Sequence, residues 1–421
     1  MEQTSCNKYR NLIWSFEFRP RSQASGQPQE RLRVYSSEEE MFERGSLKEA
    51  FPISLPWDSL DMCKVSRREC ARSRMSSYDL REAGRLLWDA IPTAAKLPIL
   101  EANVDQPCRL KISSNSPKID DLPWEWLSNG SGPPFALQSE VRLARSVPQP
   151  LPTPPCTVTL PLRVLLVITN PKDEMLLDPH QEIPAVIQGL SPPNYEVRIL
   201  EEPTLNALQE AVKRVQPHIL HYIGHAGLSG GEGNIILHDY RNMTHWISGS
   251  ELSKLMPLSM GLLCLSTCFT APNYQILGLP RLALTAATYQ LPTTVVNRYP
   301  VSQESVTIFW QRFYSVLMNE NGNVNEAFHQ AQAAVFSEPM SDADWGSFSL
   351  VIRNQSGEVF RLGEMPSKEK YAEEIQAKLA SRLANDLAVQ MAVFGDDAPQ
   401  ELRQKLAEEV RIASDLFKKC F

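Results

Sequence analysis

The sequence predicts an α/β fold in which a mostly parallel sheet carries helices on both faces. Short, continuous apolar runs recur between residues 163 and 297 and are separated by amphipathic stretches. Such runs are typical of strands buried on both faces of a parallel sheet, with helices as the connections. A proline-rich stretch before these runs and a change of composition after them predict flanking regions of different character.

The region before the sheet is predicted to be α+β. A helix is predicted over residues 78–91 and strands around residues 109–113 and 135–146, while the first 75 residues give weak signals. The segment VPQPLPTPPC, residues 147–156, carries five prolines in ten positions. Because proline lacks an amide donor and fixes φ, this segment is predicted to end the N-terminal region.

The predicted sheet is assigned to residues 156–362, after an N-terminal region of residues 1–155. Its buried strands are predicted as RVLLVIT (163–169), HILHYI (218–223), GLLCLS (261–266) and TTVVN (293–297). The intervening helices are predicted as TLNALQEAVKRV (204–215), with Thr204 as N-cap, and SGSELSKLM (248–256).

The last region, residues 363–421, is rich in Ala, Glu, Lys, Leu and Gln. Two amphipathic segments around GDDA predict a C-terminal helical hairpin. This hairpin could dock a partner, cover a substrate groove, or complete the core as a structural cap.

Composition narrows the classes of function. The 49 acidic and 42 basic residues give a net charge of −7 without long runs of either sign, so no direct nucleic-acid partner is expected. The N-terminal residues lack the apolar core of an export signal, and no apolar run reaches about 18 residues, so we expect a cytoplasmic protein without membrane contact. Eight scattered cysteines then indicate reduced thiols rather than a disulfide framework.

The segment ILHYIGHAGLSGGEGNIILHD, residues 219–239, holds three of the seven histidines and five glycines. His225 lies just beyond one predicted strand, and Cys268, 43 positions later, lies just beyond another. Because sites in parallel sheets lie beyond the carboxyl ends of strands, Cys268 is a candidate nucleophile and His225 its base. The alternative is a buried thiol and a structural imidazole.

A zinc site is a second interpretation of these residues, since His221, His225, Cys264 and Cys268 would form a familiar ligand set. Geometry disfavours it. Four residues along a strand span about 13 Å, whereas two ligands of one zinc ion lie within about 4 Å of each other. No metal is therefore expected.

The glycines suggest a third interpretation, a phosphate-binding loop. Such loops lead into a helix N-terminus, whereas here the glycines precede NIILHD, which predicts another strand. We interpret Gly227, Gly230, Gly231 and Gly233 as a tight hairpin or a mobile loop beside the substrate. No cofactor is expected.

Several segments together resemble a known family. In order, they are ILHYIGHAG, LLCLSTCFTAPN, LPTTVVNRYPVSQESVTIFWQRFYSVL, VNEAFHQAQAAV and DWGSFSLVI. They resemble the CHAT domain, a caspase-like cysteine protease related to separases and caspases, and DLPWEWL with FALQSEVRLARSV resembles the part that precedes its protease core. The resemblance covers about residues 105–355 and implies a caspase-like sheet and a cysteine endopeptidase.

The resemblance assigns roles to individual residues. It places the catalytic dyad at His225 and Cys268, and the oxyanion hole at the backbone amides of Ala226 and Cys268. Ala226 stands where the family usually has glycine. His221 and Cys264 are interpreted as packing residues, and Trp124 and Trp345 as core anchors.

Ser266 precedes the proposed nucleophile by two positions and is a candidate for the substrate pocket. Its neutral hydroxyl predicts that the residue before the cut is uncharged. An alternative is that Ser266 only satisfies a backbone group at the strand end.

The resemblance also implies partners. We expect a specific protein substrate, such as a gasdermin-like pore former in bacterial antiviral defence or regulated cell death, and a separate sensor that activates the protease. Two alternatives remain, a catalytically inert caspase-like scaffold and a nucleotide-responsive signalling module.

Overall fold

The structure is a computed structural model of the chain. It describes residues 9–19, 31–37, 50–57, 60, 77–114, 116–147, 153, 155–174, 179, 182–190, 193–229, 232–267, 278–288, 291–299, 301–320, 322–339, 343–353, 357–363, 367–394 and 398–420. Within these ranges, no helix is both long enough and apolar enough to span a bilayer.

The described residues contain sixteen strands. In chain order they are β1 (Arg10–Arg19), β2 (Arg31–Ser37), β3 (Ala50–Ile53), β4 (Cys108–Ser114), β5 (Val141–Ser146), β6 (Cys156–Val158), β7 (Leu162–Ile168), β8 (Tyr195–Glu201), β9 (Ile219–Gly224), β10 (Ala226–Ser229), β11 (Glu232–His238), β12 (Thr244–Ser248), β13 (Leu262–Thr267), β14 (Thr293–Asn297), β15 (Phe348–Ile352) and β16 (Phe360–Leu362).

Eleven of these strands form one sheet in the order β3-β2-β1-β4-β5-β15-β14-β13-β9-β7-β8. Adjacent strands are parallel except at three pairs, β3 with β2, β2 with β1, and β15 with β14. The prediction of a mostly parallel sheet is therefore confirmed. Smaller sheets are formed by β10-β11-β12 and by β16 with β6.

The described residues also contain eleven α-helices. They are α1 (Ser77–Ala90), α2 (Thr93–Leu100), α3 (Pro117–Asp120), α4 (Glu182–Gly189), α5 (Leu205–Val215), α6 (Gly249–Leu255), α7 (Gly278–Thr288), α8 (Gln303–Asn319), α9 (Val324–Phe336), α10 (Lys368–Phe394) and α11 (Gln400–Cys420). The helices predicted from the sequence match α1, α5, α6, α10 and α11.

Helices cover both faces of the central strands. Alternate residues of β9 and β13, such as Ile219 and Cys264, pack in one apolar cluster with α4, α8 and α9. The residues between them, such as Leu220 and Leu263, pack in a second cluster with α5, α6 and α7. Because side chains of a strand alternate between its faces, a central strand that packs on both faces needs apolar residues on both, which explains the nearly continuous apolar runs.

Helix caps follow the sequence signals. The Thr204 side chain accepts a hydrogen bond from the Ala207 amide and caps α5, as predicted. Ser248 and Glu251 form a reciprocal capping box at the start of α6. Such caps satisfy amides that have no partner within the helix.

The N-terminal strands belong to the same sheet as the predicted core. β1 pairs with β4, and β5 pairs with β15, so the sheet runs through residues on both sides of the proline-rich segment. One prediction here was wrong in part. Residues Phe135–Leu137 form a 3₁₀ turn, and the strand predicted from residue 135 begins only at Val141. Pro134 precedes this turn, and the carbonyl oxygen of Pro134 accepts a hydrogen bond from the Leu137 amide.

The core anchors lie where they were expected. Trp124 and Trp345 are fully buried. Trp345 packs against Trp126 with ring centroids 4.5 Å apart. This contact joins the DLPWEWL segment to the turn before β15.

The two C-terminal helices pack against each other, with Ala384 and Ala413 buried between them. α10 also contacts the rest of the chain. Glu374 accepts a hydrogen bond from the Thr157 hydroxyl at 3.1 Å, and the Lys378 ammonium lies 3.5 Å from the Cys156 sulfur. Both partners lie in β6.

Candidate active site

The candidate site lies where two neighbouring central strands end. β9 and β13 are parallel, and their pairing ends with Gly224 opposite Thr267. His225 follows Gly224 in the chain, and Cys268 follows Thr267. His225 is 3% exposed, whereas Cys268 lies outside the described residues. The ends of the two strands are therefore level, about 4.8 Å apart as in any sheet.

The backbone of His225 is held from the neighbouring hairpin strand. Its carbonyl oxygen accepts a hydrogen bond from the Ile236 amide at 3.1 Å and another from the Tyr222 hydroxyl at 2.6 Å. The Tyr222 hydroxyl also contacts the Ile236 carbonyl at 2.8 Å and the Thr169 hydroxyl at 2.9 Å. Burial raises the pKa of Tyr222. The hydroxyl therefore stays protonated and can donate.

Gly224 is required by this packing. A β-carbon at this position would overlap the Thr169 hydroxyl and the Tyr222 ring with its hydroxyl. Glycine thus lets Tyr222 fold back over its own strand and reach the carbonyl of His225. The close approach of the Tyr222 side chain to the backbone therefore requires glycine at position 224, directly before His225.

Ala226, whose amide is the predicted oxyanion donor, begins β10 and pairs with Ile235 of β11. It is 6% exposed. The Asn234 side-chain amide donates to the Glu232 carbonyl of its own strand at 2.8 Å and, across the hairpin, to the Ser229 carbonyl of β10 at 3.4 Å. Gly227 and Gly233 lie within these two strands. Of the two alternatives for the glycines, the hairpin is the one present in the structure, while Gly230 and Gly231 lie outside the described residues.

Ser266, the candidate for the substrate pocket, lies in β13 opposite Ile223. It is 1% exposed. By strand alternation it shares the sheet face of Cys264, two residues before it. Its role in substrate selection stays a prediction.

His221 and Cys264 are packed on this same face. They pair across β9 and β13, and both are fully buried. The His221 Nδ1 atom hydrogen-bonds with the Tyr314 hydroxyl at 2.7 Å, and its ring packs edge-on against Trp310. Burial lowers the pKa of His221 and raises the pKa of Cys264. A neutral imidazole and a protonated thiol fit the packing role inferred from the resemblance.

The residues around His221 and Cys264 do not support the zinc hypothesis. Among the described residues, no three His, Cys, Asp or Glu side chains come close enough to hold a metal ion. His221 Nε2 lies 3.7 Å from the Glu182 carboxylate instead.

A buried ion cluster lies at the same end of the sheet and was not predicted from the sequence. Glu125 receives hydrogen bonds from Arg145 at 2.7 and 2.8 Å and from Arg298 at 2.9 Å. The Ser349 hydroxyl also donates to it. Arg298 directly follows β14, which ends beside β13. The cluster therefore joins the N-terminal region to the edge that carries the site.

The charge of Glu125 depends on these partners. Burial alone would raise its pKa, but Arg145 and Arg298 together lower the pKa of Glu125 to about 2. The sequence signal was present in DLPWEWL, where a charged residue stands between two tryptophans. A buried glutamate in such a setting needs cationic partners.

Comparison with known proteins identifies the family. The CHAT domain family model matches residues 81–354, nearly two thirds of the chain. The chain therefore belongs to the CHAT domain family, a caspase-like protease family, as the sequence segments predicted. No curated protein matches the chain in sequence.

Among solved structures, the chain is similar to two crystal structures of the separase–securin complex of Saccharomyces cerevisiae. The 2.6 Å structure is 14% identical over 66% of this chain and 18% of the matched chain, with a TM-score of 0.36. The 3.0 Å structure is 15% identical over 63% of this chain and 17% of the matched chain, with a TM-score of 0.34. This chain thus spans less than a fifth of these two separase chains.

Proposed function

We propose that the protein is a cysteine endopeptidase whose catalytic dyad is Cys268 and His225. The observation that supports this proposal is the register of β9 and β13. This register places Gly224 opposite Thr267. Gly224 directly precedes His225 in the chain, and Thr267 directly precedes Cys268. A nucleophile and its base must lie within hydrogen-bond reach, and a start directly beyond two level, adjacent parallel strands is compatible with that requirement.

In this mechanism the Cys268 thiol transfers its proton to His225, and the resulting thiolate attacks the carbonyl carbon of the scissile peptide bond. The amides of Ala226 and Cys268 stabilise the negative charge on the carbonyl oxygen. His225 then protonates the leaving amine, and the C–N bond breaks to give a thioester. Water hydrolyses the thioester, with His225 as base, and restores the thiol.

The substrate is proposed to be one specific protein of the same cell, such as a gasdermin-like pore former that proteolysis activates. A separate sensor would switch the protease on, and the setting would be the cytoplasm of a cell under viral attack. These proposals rest on the CHAT domain assignment alone. A fold by itself does not determine which substrate an enzyme cleaves.

The test is co-expression with the proteins encoded beside this one, followed by mass spectrometry of new fragments. We expect a fragment that depends on both Cys268 and His225, and therefore disappears in Cys268→Ala and in His225→Ala. Circular dichroism should show that both variants remain folded. Undiminished cleavage in either folded variant would contradict the dyad.

A matched control is available in β13, the strand that precedes Cys268 in the chain. Cys264→Ala also removes a thiol, but Cys264 lies inside β13, is buried, and stays protonated because of its raised pKa. This variant should still cleave and should still react with a cysteine-directed peptide probe. If instead wild type fails to react with any such probe after activation, the inert scaffold is the better assignment.

A further inference from the structure

A cleft lies between α10 and the end of the sheet opposite to the candidate active site. Its walls come from the segment before β13, the segment before β14, the residue after β15, and one face of α10. The first two segments precede the amino ends of β13 and β14, whereas His225 follows the carboxyl end of the parallel strand β9. The cleft is therefore separated from His225 by about the length of a strand.

The cleft is basic. Among the lining residues that the structure describes, three are cationic and none is an aspartate or glutamate. The polar lining side chains are those of Arg353, Lys378, Arg382, Thr153, Ser253, Ser381 and Asn385. The Ser253 hydroxyl already donates to the Gly249 carbonyl. The Ser381 hydroxyl and the Asn385 amide, beside three cations, provide hydrogen-bond donors of the kind that a phosphate group requires.

Two of the cations lack the usual counterion. Within the described part of the chain, neither Lys378 nor Arg382 forms an ion pair with a carboxylate. Lys378 contacts the Cys156 sulfur instead, at 3.5 Å. The lining residues that the structure describes include three cations and no carboxylate, so the cleft is positively charged at neutral pH, although the chain as a whole carries a charge of −7.

We propose that this cleft binds a small phosphate-bearing ligand, held by Lys378 and Arg382 of α10 and by Arg353 beside β15. A guanidinium can hold phosphate oxygens with two parallel hydrogen bonds, and an ammonium adds a point charge. Because the cations lie on both walls, a bound phosphate would join α10 to the core. The ligand would thus stabilise the docked position of the C-terminal helices.

The test uses the full chain titrated with inorganic phosphate and with adenosine monophosphate in a calorimeter, at constant ionic strength. Binding of either probe is expected. Equal affinity for the two would identify the free anion as the ligand, and tighter binding of the monophosphate would identify a nucleotide. Absence of binding by both at millimolar concentration would overturn the proposal.

Variants locate the site. Lys378→Gln and Arg382→Gln should each weaken binding about tenfold, the loss of one charge-assisted hydrogen bond. Lys405→Gln is the matched control, because Lys405 is an exposed lysine of α11 that does not line the cleft. Equal weakening in all three variants would show that binding is non-specific. Thermal unfolding without ligand checks that each variant folds, and the binding readout is independent of peptidase activity.

Discussion

The hydroxyl of Tyr222 lies 2.6 Å from the carbonyl oxygen of His225, three residues later in the chain. This contact closes the end of β9 onto itself, and the Ile236 amide holds the same carbonyl from β11. The main chain that carries the proposed catalytic imidazole is thus fixed from two sides. Tyr222 acts as a positioning residue in this arrangement.

Tyr222→Phe should lower the rate of cleavage while the fold persists. The change removes the hydroxyl that bridges His225, Ile236 and Thr169, so buried carbonyl oxygens lose a donor. We expect the free energy of unfolding to fall by about 1–3 kcal/mol. Misplacement of the imidazole should reduce kcat by roughly ten- to a hundredfold and shift the pH profile of thiol alkylation.

Tyr195→Phe is the control for this prediction. Tyr195 is also buried, and its hydroxyl donates to the Tyr314 carbonyl at 3.1 Å, but it lies on the edge strand β8. This variant should lose similar stability and keep its kcat. If both variants lose activity equally, the Tyr222 contact has no special role in positioning His225.

Gly224→Ala should destabilise the end of β9 by overpacking, whereas Tyr222→Phe removes hydrogen bonds there. The added methyl group would overlap the Thr169 hydroxyl and the Tyr222 side chain. Overpacking of this kind costs about 1–3 kcal/mol, and activity should fall because Tyr222 must move. Urea unfolding and peptidase assays check both effects.

Gly132→Ala provides the comparison, since a β-carbon there would meet nothing within 4 Å. It should leave both stability and activity within error of wild type. A Gly224→Ala protein as stable and active as this control would show that position 224, at the end of β9, tolerates a side chain.

Much of the central sheet could be predicted because each strand is buried on both faces. The apolar runs of β7, β9, β13 and β14 therefore stand out in the sequence, and their ends locate His225 and the residue before Cys268. The Thr204 cap was predicted for a similar reason, since capping depends on a few neighbouring residues. Local signals of this kind survive in a single sequence.

The contacts that fix His225 were not predictable in the same way. Tyr222 lies inside an apolar run, and nothing in the run indicates that its hydroxyl turns back to a carbonyl three residues ahead. The Glu125 cluster joins residues up to 224 positions apart, which no local pattern reveals. β1 was also missed, although its buried Leu12, Trp14 and Phe16 alternate as strand residues should.

Glu125→Gln should change how stability depends on pH. Arg145 and Arg298 lower the pKa of Glu125 to about 2 against the burial that would raise it, from an ordinary value of 4.5. A carboxyl whose pKa is lowered on folding stabilises the fold fully above about pH 4.5. That contribution, about 3 kcal/mol, is lost as the pH falls from about 4.5 to about 2.

Chemical unfolding of wild type and Glu125→Gln between pH 2 and pH 7 measures this difference. The variant should be less stable at pH 7, and the gap should narrow as the pH falls through this window. Glu210→Gln is the control, because the exposed pair of Glu210 with Lys213 should contribute less than about 1 kcal/mol at any pH. A gap that stays constant down to pH 2 would rule out the ionic role of Glu125.

The last prediction concerns the residue that the peptidase accepts before the cut. Ser266 is buried and uncharged, and it stands two positions before the proposed nucleophile. A serine hydroxyl supplies no countercharge, and burial of an unpaired substrate charge is costly. Activated enzyme should therefore prefer an uncharged, apolar residue there. Profiling with a peptide library tests this, and a dominant preference for Asp, Arg or Lys would show that other residues set the charge of the pocket. Ser266→Asp should shift the preference towards Lys and Arg if this side chain lines the pocket, whereas Ser266→Ala should leave the apolar preference unchanged.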